Sequence, residues 1–241
     1  MNRGIALLGT VLVALVAVAC KDPGTDAGAS ATGKPRPDLP SSMVALGDSI
    51  NAHNLAAAGA TVHDLPGQSA AAVGHRPDYV AILIGGNDAC RPGIEQMTST
   101  ADFQAQFSAA LKTLHSGLPK ARVLVVSIPD VYRVWEVAHG RRPAQEAWSL
   151  GVCQSLLANP TSMATGDVAR RKKFRDRIDA FNKILASACK SYGPRCRYDN
   201  GAAHDFSFSL DKINALDFFH PNADGQNELA KLTYPDTFTW G

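Results

Sequence analysis

Charge is scarce in this chain: only 19% of its residues are Asp, Glu, Lys or Arg against 45% hydrophobic, and the formal net charge is +2. A protein that grips nucleic acid through phosphates needs a basic face. No Lys/Arg block is interleaved with aromatics here, so nucleic acid is excluded as a partner. The densest basic run, "ARRKKFRDR" from Ala169 to Arg177, alternates with apolar positions at helical spacing and reads as a solvated helix face. The C-x2-C pairs and His-rich spacings that zinc sites use are also missing, so neither a metal nor another cofactor is expected. No internal repeat is visible. The longest apolar run, Gly4 to Ala19, falls short of the roughly 20 residues a bilayer core requires, and no basic stop-transfer cluster follows it.

What that run does fit is export. Arg3 precedes it, and it closes on the small residues Ala17-Val18-Ala19, the layout of a secretory signal with a basic n-region and an apolar h-region. Cys20 follows at once and resembles the cysteine of a bacterial lipobox, the thiol that becomes diacylglycerol-modified. Ala17 stands where such boxes usually carry Leu, which leaves plain secretion with cleavage nearby as the alternative. From Lys21 to about Ser41 the sequence is rich in Gly, Pro, Ala, Ser and Thr and cannot bury a core, so it reads as a flexible tether. The expected organisation is a signal peptide over 1–19, a lipobox Cys and linker over 20–41, and one folded domain over 42–241. The protein is expected outside the cytoplasm, at the cell surface or secreted, touching the membrane only through Cys20, and acting as a monomer.

Export makes the other cysteines, Cys90, Cys153, Cys189 and Cys196, disulfide candidates. Three pairings are open. The Gly-Pro turn between Cys189 and Cys196 favours that bridge, with Cys90 joined to Cys153. In the folded region, apolar runs bounded by Gly, Pro or Asn alternate with stretches of helical period, the pattern of a parallel sheet covered by helices. Strands are predicted at Met43 to Leu46, Tyr79 to Gly85, Ala121 to Pro129 and, more weakly, over "CRYDN" from Cys196. Helices are predicted at Ala101 to Ser116, Asp167 to Ser191 and Asp224 to Leu232. Residues from Tyr132 to Ser162, with Trp135 and Trp148, read as a long, partly helical insertion; on such a scaffold it either shapes a site or adds its tryptophans to the core.

In open α/β sheets ligands bind beyond the carboxyl ends of the strands. Three strand ends here are polar: Gly47-Asp48-Ser49, Gly85-Gly86-Asn87-Asp88, and Ser127 with Asp130. Serine is a poor nucleophile at neutral pH and needs a base, a group to orient that base, and donors for the oxyanion. Of the seven histidines, His53, His63, His75, His115, His139 and His204 lack an acid at a useful spacing. His220 differs: "LDFFHPNADGQ" sets Asp217 three residues before it, so one short loop delivers both groups. A carboxylate so placed accepts the Nδ1 proton and fixes the tautomer whose Nε2 deprotonates a serine. Asn87 offers a carboxamide donor, and Gly59 a backbone N–H that a Cβ would not crowd.

The order of these signals resembles the SGNH/GDSL hydrolase family, with "GDSI" at Ser49, "AGAT" at Gly59, "GGND" at Asn87 and "DFFHPN" at His220. The resemblance spans Gly47 to Asn222. It implies a three-layer α/β/α sandwich with a central parallel sheet and hydrolysis of esters through an acyl-enzyme without a metal. It assigns Ser49 as nucleophile, His220 as base, Asp217 as orienting acid, and the Ser49 N–H, Gly59 N–H and Asn87 side chain as oxyanion donors. Two further stretches, "SIPDVYRVWEV" and "CQSLLANP", look like those of secreted actinobacterial-type members, which also carry internal disulfides. Ile50 departs from the family pattern, where Leu is usual, and conserves volume.

The expected function is therefore a secreted serine esterase or lipase-like acyl hydrolase acting on small esters or on acylated glycan or lipid. A carbohydrate O-deacetylase or a lysophospholipase would use the same site. A non-catalytic, ligand-binding surface lipoprotein is the reading from another class, and it has no need of a base beside its orienting acid.

Overall fold

The computed structural model describes residues 43–47, by their backbone, and 53–234. The expected signal peptide, Cys20, the tether and Ser49 itself lie outside the described residues.

Strands β1 (Met43–Gly47), β2 (His53–Asn54), β3 (Tyr79–Leu83), β4 (Arg122–Val125) and β5 (Cys196–Tyr198) form one parallel sheet in the order β2-β1-β3-β4-β5. Its registers pair Val44 with His53, Ala45 with Ala81, Val80 with Val123 and Leu124 with Arg197. The short β2 carries no apolar run, which is why sequence periodicity passes over it. The runs at Tyr79 and Ala121 leave the ladder earlier than their apolar stretches do, and the freed residues build the strand-end turns.

Helix α1 (Leu65–His75) follows β2, and α3 (Thr100–Gly117) links β3 to β4. The long α7 (Thr165–Tyr192) leads into β5, and α8 (Ala223–Thr233) comes last. Successive right-handed crossovers in one direction along a sheet put their helices on the same face. Accordingly α1 packs against α3, and α3 against α7. The continuous core lies beneath them, where Val80, Ile82, Val123 and Val125 meet Phe103, Phe107, Phe174 and Phe181. Tyr79 is also buried but alternates to the opposite face, where its ring meets Tyr234 at the end of α8 edge-on, 6.0 Å between centroids. The arrangement is α/β/α, and Tyr234, which follows α8, reaches that second face.

The sequence between Tyr132 and Ser162 resolves into α4 (Tyr132–Ala138), α5 (Arg142–Ser149) and the single turn α6 (Gln154–Leu157). Trp135 and Trp148 are both buried, and each indole N–H has a carbonyl partner: Pro160 at 2.8 Å and Phe218 at 3.2 Å. The basic run on α7 departs from the expected solvated face. Arg171 is only 1% exposed, with its guanidinium 4.4 Å from the Trp135 ring centroid and bonded to the Ser162 carbonyl. The insertion folds back over this turn of α7 and buries what periodicity alone leaves in water. Arg170 likewise turns inward, onto the carbonyls of Gln154, Ser155 and Leu156.

Two disulfides close the fold, Cys90–Cys153 and Cys189–Cys196, with Cα separations of 4.5 and 5.3 Å. Cys189 ends the buried side of α7 and Cys196 opens β5, so the second bridge pins the Gly193-Pro194 turn between them.

Candidate active site

Four segments carry the candidate residues and their supports. The stretch after β3 turns at Gly85, whose φ of +113° suits glycine and where a Cβ would strike Ile128 and Phe103. This turn starts the one-turn helix α2 (Gly86–Ala89), which carries Asn87 and Asp88.

Asn87 donates one amide N–H to the Ala60 carbonyl at 3.0 Å, which fixes the plane of its carboxamide. Ala60 closes the turn that holds Gly59, donating to the Ala57 carbonyl at 3.0 Å, and Gly59 sits there exposed with φ of +80°. A residue with a Cβ would be strained in that conformation. The structure therefore brings the Gly59 turn and Asn87 together.

Asp88 is a residue that the sequence reading gave no role. Fully buried, it accepts the Val62 N–H at 2.9 Å and the Thr98 hydroxyl at 2.7 Å, while its own carbonyl accepts the Thr98 N–H at 2.9 Å. Burial raises its carboxyl above the ordinary carboxylate range, and the bonds from Thr98 and Val62 oppose this only in part. It staples the Gly59 turn to the Asn87 turn from beneath. Its signal in the sequence was its place beside Asn87 at a strand end.

The far end of α2 is held by the insertion. The Ser155 hydroxyl donates to the Ala89 carbonyl at 2.7 Å and accepts the Arg91 N–H at 3.1 Å, and the Ser155 N–H returns to the Arg91 carbonyl at 2.8 Å. The Cys90–Cys153 bridge adds a covalent tie at the same place.

The fourth segment carries the candidate base. Asp217 and His220 lie in a loop closed by the Asn214 N–H on the His220 carbonyl at 2.8 Å and the Phe218 N–H on the Asn214 carbonyl at 2.9 Å. An antiparallel bridge between Ile213 and Pro221 seals its base. Asn222 then caps α8, accepting the Gly225 N–H at 3.0 Å, so the chain leaves the loop straight into a helix.

Within the loop the His220 Nδ1 lies 2.7 Å from Asp217 Oδ2. The other carboxylate oxygen accepts the Phe219 and His220 N–H groups at 2.8 and 3.1 Å. Partial burial pushes the Asp217 carboxyl up, but the bonds from the His220 ring and the two backbone N–H groups outweigh it and hold the carboxyl below its ordinary range. The His220 side chain remains 63% exposed, within reach of a substrate from solvent.

The third polar strand end turns out to be internal. Ser127 donates to Asp199 at 2.8 Å and accepts the His204 N–H at 2.9 Å, and Asp130 is ion-paired with Arg175 at 2.5 Å. His204 has an acid partner after all, Asp179 at 3.3 Å, but its Nδ1 faces the Ile128 carbonyl and the Asn182 amide, so it knits α7 to the strand end. An open groove of about 470 Å³ between α3 and α7, lined by Leu111, His115, Lys183 and Tyr192, holds none of the candidate residues. Among the described residues no group of three or more His, Cys, Asp or Glu side chains is placed to hold a metal ion, and no helix is long and apolar enough to cross a membrane.

The sequence model of the GDSL-like Lipase/Acylhydrolase family matches residues 24–227. No curated protein and no solved structure matches the chain.

Proposed function

The chain belongs to the GDSL-like Lipase/Acylhydrolase family, whose members hydrolyse esters, and from that premise we propose that it is an exported serine esterase working through an acyl-enzyme on Ser49. The observation that carries the reading is the 2.7 Å contact between His220 Nδ1 and Asp217 Oδ2 on an exposed loop. With Nδ1 committed to the carboxylate, the neutral imidazole presents Nε2 as its basic atom.

In the proposed reaction Ser49 Oγ attacks the ester carbonyl as His220 Nε2 takes its proton. The tetrahedral oxyanion is met by N–H groups of Ser49 and Gly59 and by the Asn87 carboxamide. Collapse expels the alcohol, which receives the proton from the imidazolium, and leaves an acyl-enzyme. Water activated by His220 then releases the acid and restores the serine. Asp217 stays ionised throughout and stabilises the imidazolium.

For location, we take Gly4 to Ala19 as the export signal and Cys20 as the lipid-bearing residue. Substituting Cys20 with Ala releases the protein from the membrane if this is right; a protein still membrane-bound refutes the anchor.

The decisive experiment is turnover of p-nitrophenyl acetate and butyrate by wild type and by Ser49→Ala, beside fluorophosphonate labelling and an acetylated polysaccharide. The expected result is stoichiometric label on Ser49 and loss of turnover in the variant. Full turnover by Ser49→Ala overturns the mechanism, and release of acetate from the polysaccharide in preference to the small esters moves the substrate to acylated glycan.

A further inference from the structure

We propose that Trp148, on α5, is a positioning residue for the His220 loop: its indole N–H holds the Phe218 carbonyl and thereby keeps Asp217 and His220 in register. The inference rests on the reading of His220 as the base.

Phe218 lies between the two site residues with φ of +52°, a left-handed backbone that bulky residues rarely adopt and that persists only where surroundings impose it. That turn of the backbone lets the Phe219 and His220 N–H groups converge on one oxygen of Asp217, at 2.8 and 3.1 Å, and leaves the other oxygen for Nδ1 at 2.7 Å. A relaxed, right-handed Phe218 would point these N–H groups elsewhere, the carboxylate would rotate, and Nδ1 would lose its partner.

The imposing contact comes from 70 residues away. Trp148 is 1% exposed, and its Nε1–H donates to the Phe218 carbonyl at 3.2 Å. The indole is itself fixed: the Gln154 amide bonds the Trp148 carbonyl at 2.7 Å, and Cys153 beyond it is bridged to Cys90. Cys90 follows Asn87 by three residues, so the same insertion grips the turn bearing the oxyanion donor and the loop bearing the base. An N–H donor on a rigid, buried ring is a means of setting one loop conformation rather than of adding affinity for substrate.

Trp148→Phe keeps an aromatic ring and removes the donor. The expected result is a kcat for p-nitrophenyl butyrate lower by on the order of tenfold to a hundredfold, since a small misplacement of a catalytic group costs that much, with KM within about twofold of wild type. Nitrogen-15 ring shifts of neutral His220 are expected to move from the Nδ1–H tautomer towards the Nε2–H form that predominates in a free histidine side chain. Trp135→Phe is the control, because Trp135 gives its N–H to Pro160 in the same insertion and lies outside the site; it is expected to lower the melting temperature and leave kcat and tautomer alone.

A folded Trp148→Phe protein with wild-type kcat and wild-type ring shifts overturns the proposal, as does an equal loss of kcat in both variants. Where Trp148→Phe does not fold, benzothienylalanine at position 148 replaces the N–H with sulfur at nearly constant shape and is read in the same way. A wild-type protein that turns over no ester refutes the esterase reading alone, because the ring shifts still report whether Trp148 sets the loop.

Discussion

The buried carboxylate of Asp88 accepts the Val62 backbone N–H at 2.9 Å, joining two turns that are 26 residues apart in the chain. One is the turn from Thr61 to Asp64, which directly follows the Gly59 turn, and the other carries Asn87. In the proposed mechanism Gly59 and Asn87 both donate to one oxyanion, and Asp88 anchors the two stretches that carry them; a second bond, from Asn87 to the Ala60 carbonyl at 3.0 Å, crosses the same gap. Preorganised donors matter because they cost no reorganisation when charge develops.

Removing that anchor leaves the Val62 N–H and the Thr98 hydroxyl buried without their acceptor. Each orphaned group costs about 1–3 kcal/mol, so Asp88→Ala is expected to lose several kcal/mol of stability by urea denaturation and most of its kcat. Asp88→Asn retains one acceptor and is expected to recover part of both. The pH dependence has a definite sign. Because burial raises the Asp88 carboxyl above its unfolded value, its ionisation costs stability as pH climbs from the ordinary carboxylate range through the raised value. The stability of wild type relative to Asp88→Asn is therefore expected to be greatest in acid and to shrink towards neutral pH; a gap that widens instead contradicts the assignment.

Asn87 is placed to do a different job from Asp88, and its variant separates the two. The side chain is only half-buried, and its bond to the Ala60 carbonyl is one that water can replace. Asn87→Ala is expected to keep its melting temperature within a few degrees of wild type and to lose on the order of a hundredfold or more in kcat, the usual cost of an oxyanion donor. Steady-state kinetics beside a thermal melt checks both halves. A near-normal kcat removes Asn87 from the oxyanion site.

The two disulfides close loops of very different length, with sequence separations of 63 and 7. On loop entropy alone the first is worth about 4 kcal/mol and the second about 2 kcal/mol. The Cys90–Cys153 bridge also ties α6 to the Asn87 turn. Replacing both of its cysteines with Ala is expected to cost about twice as much stability as replacing Cys189 and Cys196, and to lower kcat where the other pair does not. Denaturant melts and turnover of the two double variants test this. Equal kcat in the two would mean that Ser155 alone holds the turn.

The candidate site residues were more legible than their supports. Asp217 and His220 stand out because both lie in one short loop, and Asn87 because it follows a buried strand through two glycines. The strands at Tyr79 and Ala121 were legible because they are apolar on both faces, whereas the two-residue β2 was not. Helix α1 was not, because Pro66, Gly67 and Gly74 interrupt its periodicity; the proline falls in the first turn, where its missing N–H does no harm. Arg171 was misread because its cover, Trp135, arrives from another part of the chain. Asp130 and Ser127 look like site residues by position and are not, since their partners Arg175 and Asp199 lie far along the sequence. Trp148 and Phe218 belong to the same class: a contact across 70 residues leaves no local pattern.

The pairing of Asp217 with His220 also fixes how activity follows pH. Burial raises the Asp217 carboxyl, and the bonds from the His220 ring and from the Phe219 and His220 N–H groups more than reverse this, so the carboxyl titrates below its ordinary range. Its stabilising contribution is therefore complete above about pH 4, the unfolded value, and is lost only as pH falls through the lower folded value. In the proposed reaction the imidazole acts as base only in its neutral form, so proton uptake by His220 stops turnover. Turnover of p-nitrophenyl butyrate is expected to fall with a one-proton slope as His220 protonates, while Asp217 stays charged, and to return in full when pH is restored. Asp217→Asn replaces the charge with a neutral amide, and its kcat is expected to drop by orders of magnitude because nothing then stabilises the imidazolium or fixes its tautomer. A rate that does not fall on acidification, or an Asp217→Asn protein with the wild-type profile, would mean that His220 is not the base.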